Sequence, residues 1–169
     1  MITRYASNRM AQREQRGFYG DLEDAGVTAS VDTDIADREL PAAVADLLGV
    51  PAGTEVVVRT RHMRGDDQLL QIAATYLHPS VVAEIPQLKE LNTGPGGMYA
   101  RMEEAGHTLT QQDQVSARVP TEDEQAMFSL QEGAALLMID RITSGADKQV
   151  LEVTQIIAAA DKQRFVYDV

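Results

Sequence analysis

The sequence predicts an α+β domain in which helices pack against an antiparallel β-sheet. First, short amphipathic segments with helical spacing alternate with segments in which apolar and polar residues alternate as in strands. Second, two pairs of such strands are each joined by a short polar turn that contains Gly and Asp, which makes antiparallel hairpins. Third, the two helix–hairpin units resemble each other. A chain of 169 residues is long enough for one such domain with a sizeable core.

The N-terminal segment differs from the rest of the chain. Residues 1–16 are polar and show little apolar periodicity, so we predict an arm or linker remnant there and a folded domain over residues 17–169. The arm holds the chain's only concentration of basic residues, which we interpret as a solvated segment or linker: Arg4, Arg9, Arg13 and Arg16.

The elements of the first half follow from spacing and from helix-ending glycines. Phe18, Leu22 and Ala25 recur at helical spacing before Gly26, and Gly49 ends a second helix. The predicted elements are, in order, a helix at 16–26, a strand at 27–36, a helix at 40–50, and a hairpin of strands 54–62 and 69–77.

The second half repeats this plan after a mixed connection. Thr121 and Glu124 have the spacing of a capping box at a helix start. The predicted elements are a helical or mixed segment at 79–91, a loop at 92–97, a helix at 98–106, a strand at 109–119, a helix at 121–130, a hairpin of strands 134–142 and 149–159, and a short strand at 163–169.

The two hairpin units form an internal pseudo-repeat. "LLGVPAGTEVVVRTR" and "MFSLQEGAALLMIDR" can be superimposed, with a helix, a glycine and an apolar strand in each. Each strand reaches an arginine eight residues after its glycine: Arg61 after Gly53 and Arg141 after Gly133. We therefore expect the sheet to be built from two similar halves.

Composition excludes several functions. A net charge of −11 argues against direct contact between this chain and nucleic acid. The absence of cysteine rules out disulfides and thiolate metal sites, and the three histidines lack metal-ligand spacing. No phosphate-loop, dinucleotide or nucleophile-elbow motif is present, so we predict no cofactor and no enzymatic activity. Apolar runs are too short for a bilayer, so we expect no membrane contact and a cytoplasmic protein.

Two arginines share one face of the first hairpin. Because side chains alternate along a strand, Arg59 and Arg61 point to the same side. Planar guanidinium groups can donate paired hydrogen bonds to phosphate or carboxylate, so the pair is a candidate anion site. The alternative is that both face solvent or pair with the abundant acidic residues.

The ordered series of motifs resembles the UTRA domain, the effector-binding domain of the HutC branch of GntR-type transcription regulators. The series runs from "LLGVPAGTEVVVRTRHMRGDDQLLQIAATYLHPSVV" through "MYARMEEAG" to "LQEGAALLMIDRITSGADKQVLEV" and "RFVYDV". The resemblance implies a chorismate-lyase-like fold with a six-stranded antiparallel sheet, a small-molecule pocket and a homodimer. It also implies that operator DNA is bound only through a winged-helix domain, which this chain lacks.

The resemblance also implies which residues contact the effector. Arginines matching Arg59 and Arg61 clamp an anion in phosphosugar-sensing members of the family, and the tyrosine matching Tyr99 helps line the pocket. Glu152 matches a glutamate that accepts a bond from a sugar hydroxyl or amine. Phe18 and Tyr19 match a loop whose backbone N–H groups face the anion. Each has an ordinary structural alternative: helix packing, a surface carboxylate or a capping turn.

Three positions depart from the family's sugar-phosphate sensors. Ala73, Gly97 and Ala158 stand where those sensors carry a glutamate, a serine and a tyrosine. We therefore expect a more apolar pocket and an anionic or partly apolar metabolite as effector. Two other functions remain open at this point: an enzyme of the same fold such as a chorismate-lyase-type lyase, and a structural dimerisation module with a degenerate pocket.

Overall fold

The computed structural model describes residues 1–7 and 17–168. Its strands are β1 (Ile2–Tyr5), β2 (Ala29–Glu39), β3 (Glu55–Gly65), β4 (Gln68–Leu77), β5 (Thr110–Arg118), β6 (Leu136–Ser144), β7 (Val150–Ala159) and β8 (Gln163–Val166). Its helices are α1 (Phe18–Asp24), α2 (Ala42–Leu48), α3 (Pro79–Glu84), α4 (Gly97–Glu104) and α5 (Glu122–Met127), and a short 3₁₀ turn covers Pro86–Lys89.

The main sheet is antiparallel throughout and has the order β2-β3-β4-β7-β6-β5. The two predicted hairpins, β3–β4 and β6–β7, occupy its centre, and β2 and β5 form its edges. In the first hairpin Asp66 and Asp67 both have positive φ, as a two-residue turn that follows the strand twist requires. The predicted α+β class and the six-stranded antiparallel sheet are confirmed.

One face of the sheet is covered by α2. Val44 and Leu48 of this helix pack against Val56, Val58 and Val153. Full burial of such a side chain contributes about 1.5–3 kcal/mol, so this contact is a large part of what holds the first half together. The left-handed glycine at position 49 ends the helix, as predicted.

On the opposite face, the helices of the described residues pack at the two ends of the sheet. At one end α3, the 3₁₀ turn and α4 pack on the sheet through residues such as Leu77, Leu88 and Met102. At the other end α1 contributes Phe18 and Leu22 to a second cluster. Between these clusters no helix of residues 1–7 and 17–168 covers the sheet, and a cavity forms there.

The capping box predicted for the fifth helix is confirmed. The Thr121 side chain accepts from the Glu124 backbone N–H at 3.2 Å, and the Glu124 carboxylate accepts from the Thr121 N–H at 2.9 Å. These bonds satisfy two amides that a helix start otherwise leaves without partners.

The start of the chain corrects one sequence-based interpretation. Ile2–Tyr5 forms a parallel two-stranded sheet with Gln163–Val166, and Arg4 is only 7% exposed. Arg4 is therefore not part of a solvated segment, because its side chain lies beneath the domain's own surface. The remaining arginines of the predicted arm, Arg9, Arg13 and Arg16, lie outside the described residues. Apolar periodicity missed this strand because four residues are too few to show it.

Candidate ligand-binding site

A cavity of about 540 Å³ lies over the uncovered part of the sheet. This volume falls in the range typical of small-molecule sites. Its floor includes one row of residues in register across four strands: Thr33, Arg61, Ala73 and Ile156. Residues 91–94 and 96–99 and the start of α1 form its sides.

The lining of the cavity combines apolar, neutral polar and cationic side chains. Its neutral polar side chains are Thr33, Gln71, Asn92, Thr93, Tyr99 and Thr154. Its apolar part includes Phe18, Val31, Met63, Ala73, Met98 and Ile156. Its charged side chains among the described residues are three arginines, with no aspartate or glutamate: Arg4, Arg61 and Arg141. In a chain with a net charge of −11, this local excess of cations favours an anionic occupant.

Arg61 is the cation with the fewest partners. Its Nη2 lies 3.5 Å from Thr75 Oγ1, a long contact. Its Nε is buried and has no hydrogen-bond partner within residues 1–7 and 17–168. A buried donor without a partner costs about 1–3 kcal/mol, so the site is poised to gain from an acceptor brought in by a ligand.

Arg59 shares the strand face with Arg61, as strand parity predicts, but its guanidinium does not line the cavity. Its Nη1 donates to the carbonyls of Leu88, at 2.8 Å, and Glu90, and its Nη2 donates to the Leu91 carbonyl at 3.2 Å. Burial, together with the charge of Arg61, lowers the pKa of Arg59 to about 10, which still leaves it charged at neutral pH. The two arginines therefore do not form a double clamp here.

The other two cavity arginines each face a carboxylate. Arg141 Nε and Nη2 donate to the two oxygens of Asp113 at 2.8 and 2.9 Å. Arg4 Nε donates to Asp21 at 2.7 Å, and its guanidinium lies 5.0 Å from the Phe18 ring centroid. Because each of these arginines is paired with a carboxylate, they add little net charge to the cavity and contribute mainly to its shape.

Tyr99 and Glu152 come together, but at different depths. Tyr99 lines the cavity, and its hydroxyl donates to Glu152 Oε1 at 3.1 Å. Glu152 is fully buried and also accepts from the hydroxyls of Thr143 and Thr154. Because Tyr99 and Thr154 both line the cavity, the carboxyl reaches a ligand only through their hydroxyl groups.

Burial dominates the protonation of this pair. It raises the pKa of the Glu152 carboxyl, although the three hydroxyl donors and the Arg141 charge act in the opposite direction. Burial, with the adjacent Glu152 carboxyl, raises the pKa of Tyr99 to about 12. Tyr99 is thus a neutral hydroxyl at neutral pH and can present its oxygen to a donor in the cavity.

Phe18 and Tyr19 both line the cavity, as does Gly17 before them. Phe18 is buried, whereas Tyr19 is 55% exposed at the cavity edge. Their rings meet edge to face, with centroids 6.2 Å apart. The segment therefore supplies an aromatic wall with a buried inner ring and a half-exposed outer ring.

A model of the UTRA domain family matches residues 27–164. The chain belongs to the UTRA domain family. It is also 28% identical over 131 residues to an uncharacterized HTH-type transcriptional regulator of Streptomyces coelicolor. That match covers 75% of this chain and 48% of the regulator, so the chain spans about half the length of this curated relative.

Solved structures share the fold of this UTRA domain. PhnF from Mycobacterium smegmatis superimposes with a TM-score of 0.76 at 18% identity, over 99% of this chain and 71% of PhnF. The isolated effector domain of PhnF gives 0.70 at 19% identity, over 89% of this chain and 92% of that domain. The predicted family is confirmed, and none of these findings favours the lyase alternative.

Two arginines of the UTRA cavity were not predicted as site residues. The pseudo-repeat had already aligned Arg141 with Arg61, so the sequence did contain a signal for it. Arg4 gave none, because it lies in a polar segment that reaches the cavity only through pairing with β8. Of the three positions that depart from the sugar-phosphate sensors, Ala73 and Gly97 line the cavity and Ala158 is buried.

Two further absences concern the described part of the UTRA domain. Within residues 1–7 and 17–168, no cluster of histidine and acidic side chains has an arrangement that could hold a metal ion. No helix in the same residues is long and apolar enough to cross a membrane.

Proposed function

We propose that this UTRA domain senses a small anionic metabolite on behalf of a GntR-type transcription regulator of the HutC branch. The observation that carries the proposal is Arg61, whose buried Nε has no acceptor among the described residues and whose side chain lines the cavity. A guanidinium in this state favours an anion over a neutral ligand, because the anion satisfies a donor and a charge together.

The remaining residues of the predicted site then divide into two roles. Arg61, Tyr99, Phe18 and Tyr19 line the cavity, and we propose that they contact the effector. Arg59 and Glu152 act from behind it. Arg59 holds the segment after the 3₁₀ turn in place through its carbonyls, and Glu152 orients the Tyr99 hydroxyl.

The apolar part of the lining limits the chemistry of the effector. Ala73, Met63 and Ile156 offer no hydrogen bonds to sugar hydroxyls, and burying such hydroxyls without partners is unfavourable. We therefore propose an effector with one anionic end and a largely apolar body. A hexosamine phosphate, with polar groups around its ring, would find no hydrogen-bond partner along this apolar part of the wall.

The regulator as a whole is proposed to bind operator DNA through a winged-helix domain. The relative from Streptomyces coelicolor is named as an HTH-type regulator and is about twice as long as the matched region. In this proposal the winged-helix domain precedes β1, which is itself part of the folded domain, and two copies of the protein pair in the cytoplasm. Dimers suit operators made of two half-sites. Sedimentation showing only monomer at micromolar concentration would contradict the pairing.

The test of the sensing proposal compares two arginines of the same strand. A metabolite library is screened by thermal shift, because a ligand that binds only the folded state raises Tm. Hits are then titrated calorimetrically into the wild type, Arg61→Met and Arg64→Met. Arg64 pairs with Asp32 at 2.9 Å outside the cavity and serves as the matched control.

Loss of the Arg61 contact should weaken anion binding about ten- to a hundred-fold, since a bond to a charged group contributes about 1.5–3 kcal/mol and 1.4 kcal/mol is tenfold. Arg64→Met should leave the affinity unchanged. Equal affinities in all three proteins would refute the proposed anion site.

A further inference from the structure

The cavity floor has an approximate two-fold symmetry with one conspicuous break. A rotation about the centre of the β4–β7 pair exchanges β3 with β6 and edge strand β2 with edge strand β5. The same operation relates the two arginines that the sequence repeat aligns, Arg61 and Arg141. Both line the cavity, one from each half of the sheet.

The break lies in the residue across from each arginine. Arg141 stands opposite Asp113 on β5, and the carboxylate accepts from Nε and Nη2 side by side. Arg61 stands opposite Thr33 on β2, which offers no carboxylate. The Nε of Arg61 is accordingly the atom left without an acceptor in residues 1–7 and 17–168.

Among the described side chains that line the cavity, Arg61 is the one cation for which no carboxylate partner is seen. Arg141 and Arg4 are paired with Asp113 and Asp21. Arg59, the nearest other cation on the strand, directs its donors to three backbone carbonyls instead of the cavity. A single negative charge would match the one unpaired guanidinium of the described lining, whereas the second charge of a dianion would find no free cationic donor there, because the donors of Arg59 are already used.

From this arrangement, and resting on the proposed sensing function, we infer that the effector's anionic group is a single carboxylate that bonds Arg61 as Asp113 bonds Arg141. A planar carboxylate matches the two parallel donors of a guanidinium edge. Its apolar body would then lie along the rest of the floor row, over Ala73 and Ile156. A phosphate monoester, with close to two charges at neutral pH, fits the site less well.

The first test places the missing carboxylate in the protein. Thr33→Asp should pair with Arg61 and raise Tm relative to Thr33→Asn, which has the same size and a similarly poor strand propensity but no charge. The Asp–Asn difference should disappear when Arg61 is replaced by Met. Equal Tm values for Thr33→Asp and Thr33→Asn in the wild-type background would overturn the equivalence of the two halves. So would a Tm difference that persists in the Arg61→Met background.

The second test uses the smallest probes of each anion class. Acetate and inorganic phosphate are compared at pH 8 and at ionic strength matched with chloride, on the wild type, Arg61→Met and Thr33→Asp. We expect acetate to raise the Tm of the wild type by about 3–5 °C at roughly ten times its dissociation constant. The same concentration of acetate should leave the Tm of both variants unchanged. Arg61→Met lacks the cation, and in Thr33→Asp the new carboxylate already pairs with it.

The outcomes separate this inference from the function on which it rests. A larger shift with phosphate than with acetate, lost in Arg61→Met, would overturn the carboxylate assignment and leave the anion-sensing function standing. No shift that depends on Arg61 with either anion would overturn both. An acetate shift that survives in Thr33→Asp would show that the anion binds elsewhere in the cavity and would also overturn the inference.

Discussion

Replacing Arg59 by Met should loosen the segment that closes one side of the cavity. The guanidinium joins β3 to the carbonyls of Leu88, Glu90 and Leu91, and Leu91 itself lines the cavity. Methionine keeps much of the apolar stem of arginine but donates no hydrogen bond. The carbonyl of Leu88, the most buried of the three acceptors, would lose a strong donor.

The size of the effect follows from these three bonds. A hydrogen bond to a charged group contributes about 1.5–3 kcal/mol, but three bonds that share one side chain do not add in full. Burying the guanidinium beside Arg61 also carries a cost, as the lowered pKa of Arg59 shows. We therefore expect the free energy of unfolding to fall by about 2–4 kcal/mol, which for a domain of this size lowers Tm by roughly 4–16 °C.

Calorimetry and urea unfolding measure this change, and Arg38→Met is the matched control. Arg38 is exposed on β2 and makes a long, 3.5 Å contact with the exposed Asp34, so its loss should cost under about 0.5 kcal/mol. Hydrogen exchange should increase in residues 88–94 of Arg59→Met and remain unchanged in β6 and β7. Equal stability of the two variants, or exchange that rises uniformly, would refute the anchoring role of Arg59.

Two more predictions concern burial. The raised pKa of Glu152 means that the folded state holds this proton to higher pH than the unfolded state does, so wild-type stability should fall as pH rises from about 4.5 to the folded-state pKa. Glu152→Gln removes this dependence, and a stability difference between the two proteins that stays constant from pH 4.5 to pH 8 in urea unfolding would contradict it. Gly65→Ala should destabilise the protein by about 1–3 kcal/mol in the same assay, because the new Cβ would lie 2.8 Å from Val27 and 2.9 Å from Leu70. A variant as stable as the wild type would show that this corner of the core can relax.

The sequence predicted the elements of the main sheet because their signals are local. Alternation gave the strands of both hairpins, glycines gave the helix ends, and Thr121 with Glu124 gave the start of α5. Edge strand β2 runs to Glu39, three residues past its predicted end, because its last residues are polar and paired only on one side. Such residues carry no apolar pattern that could mark them as strand.

The site was harder to predict because its contacts are distant in sequence. Strand parity placed Arg59 and Arg61 on one face, but parity does not say what lies above that face. Carbonyls in and just after the 3₁₀ turn accept the hydrogen bonds of Arg59, whereas Arg61, two residues further along β3, lines the cavity. Glu152 likewise lies on the cavity side of the sheet, but the hydroxyls of Tyr99 and Thr154 lie between its carboxyl group and the cavity. How far a side chain lies below the cavity surface depends on packing between elements, which a local sequence pattern does not indicate.

The pairing of β1 with β8 has a consequence for how the domain folds. These strands lie near opposite ends of the described chain, so their contact closes a very long loop, and we expect it to form after the local hairpins. Arg4 arrives in the cavity with that strand and bonds Gln71 and Asp21 there. During synthesis β1 is made well before β8, so it has no pairing partner until β8 follows. We therefore expect a chain interrupted before β8 to form most of its sheet but to lack the β1–β8 pair that brings Arg4 to the binding site.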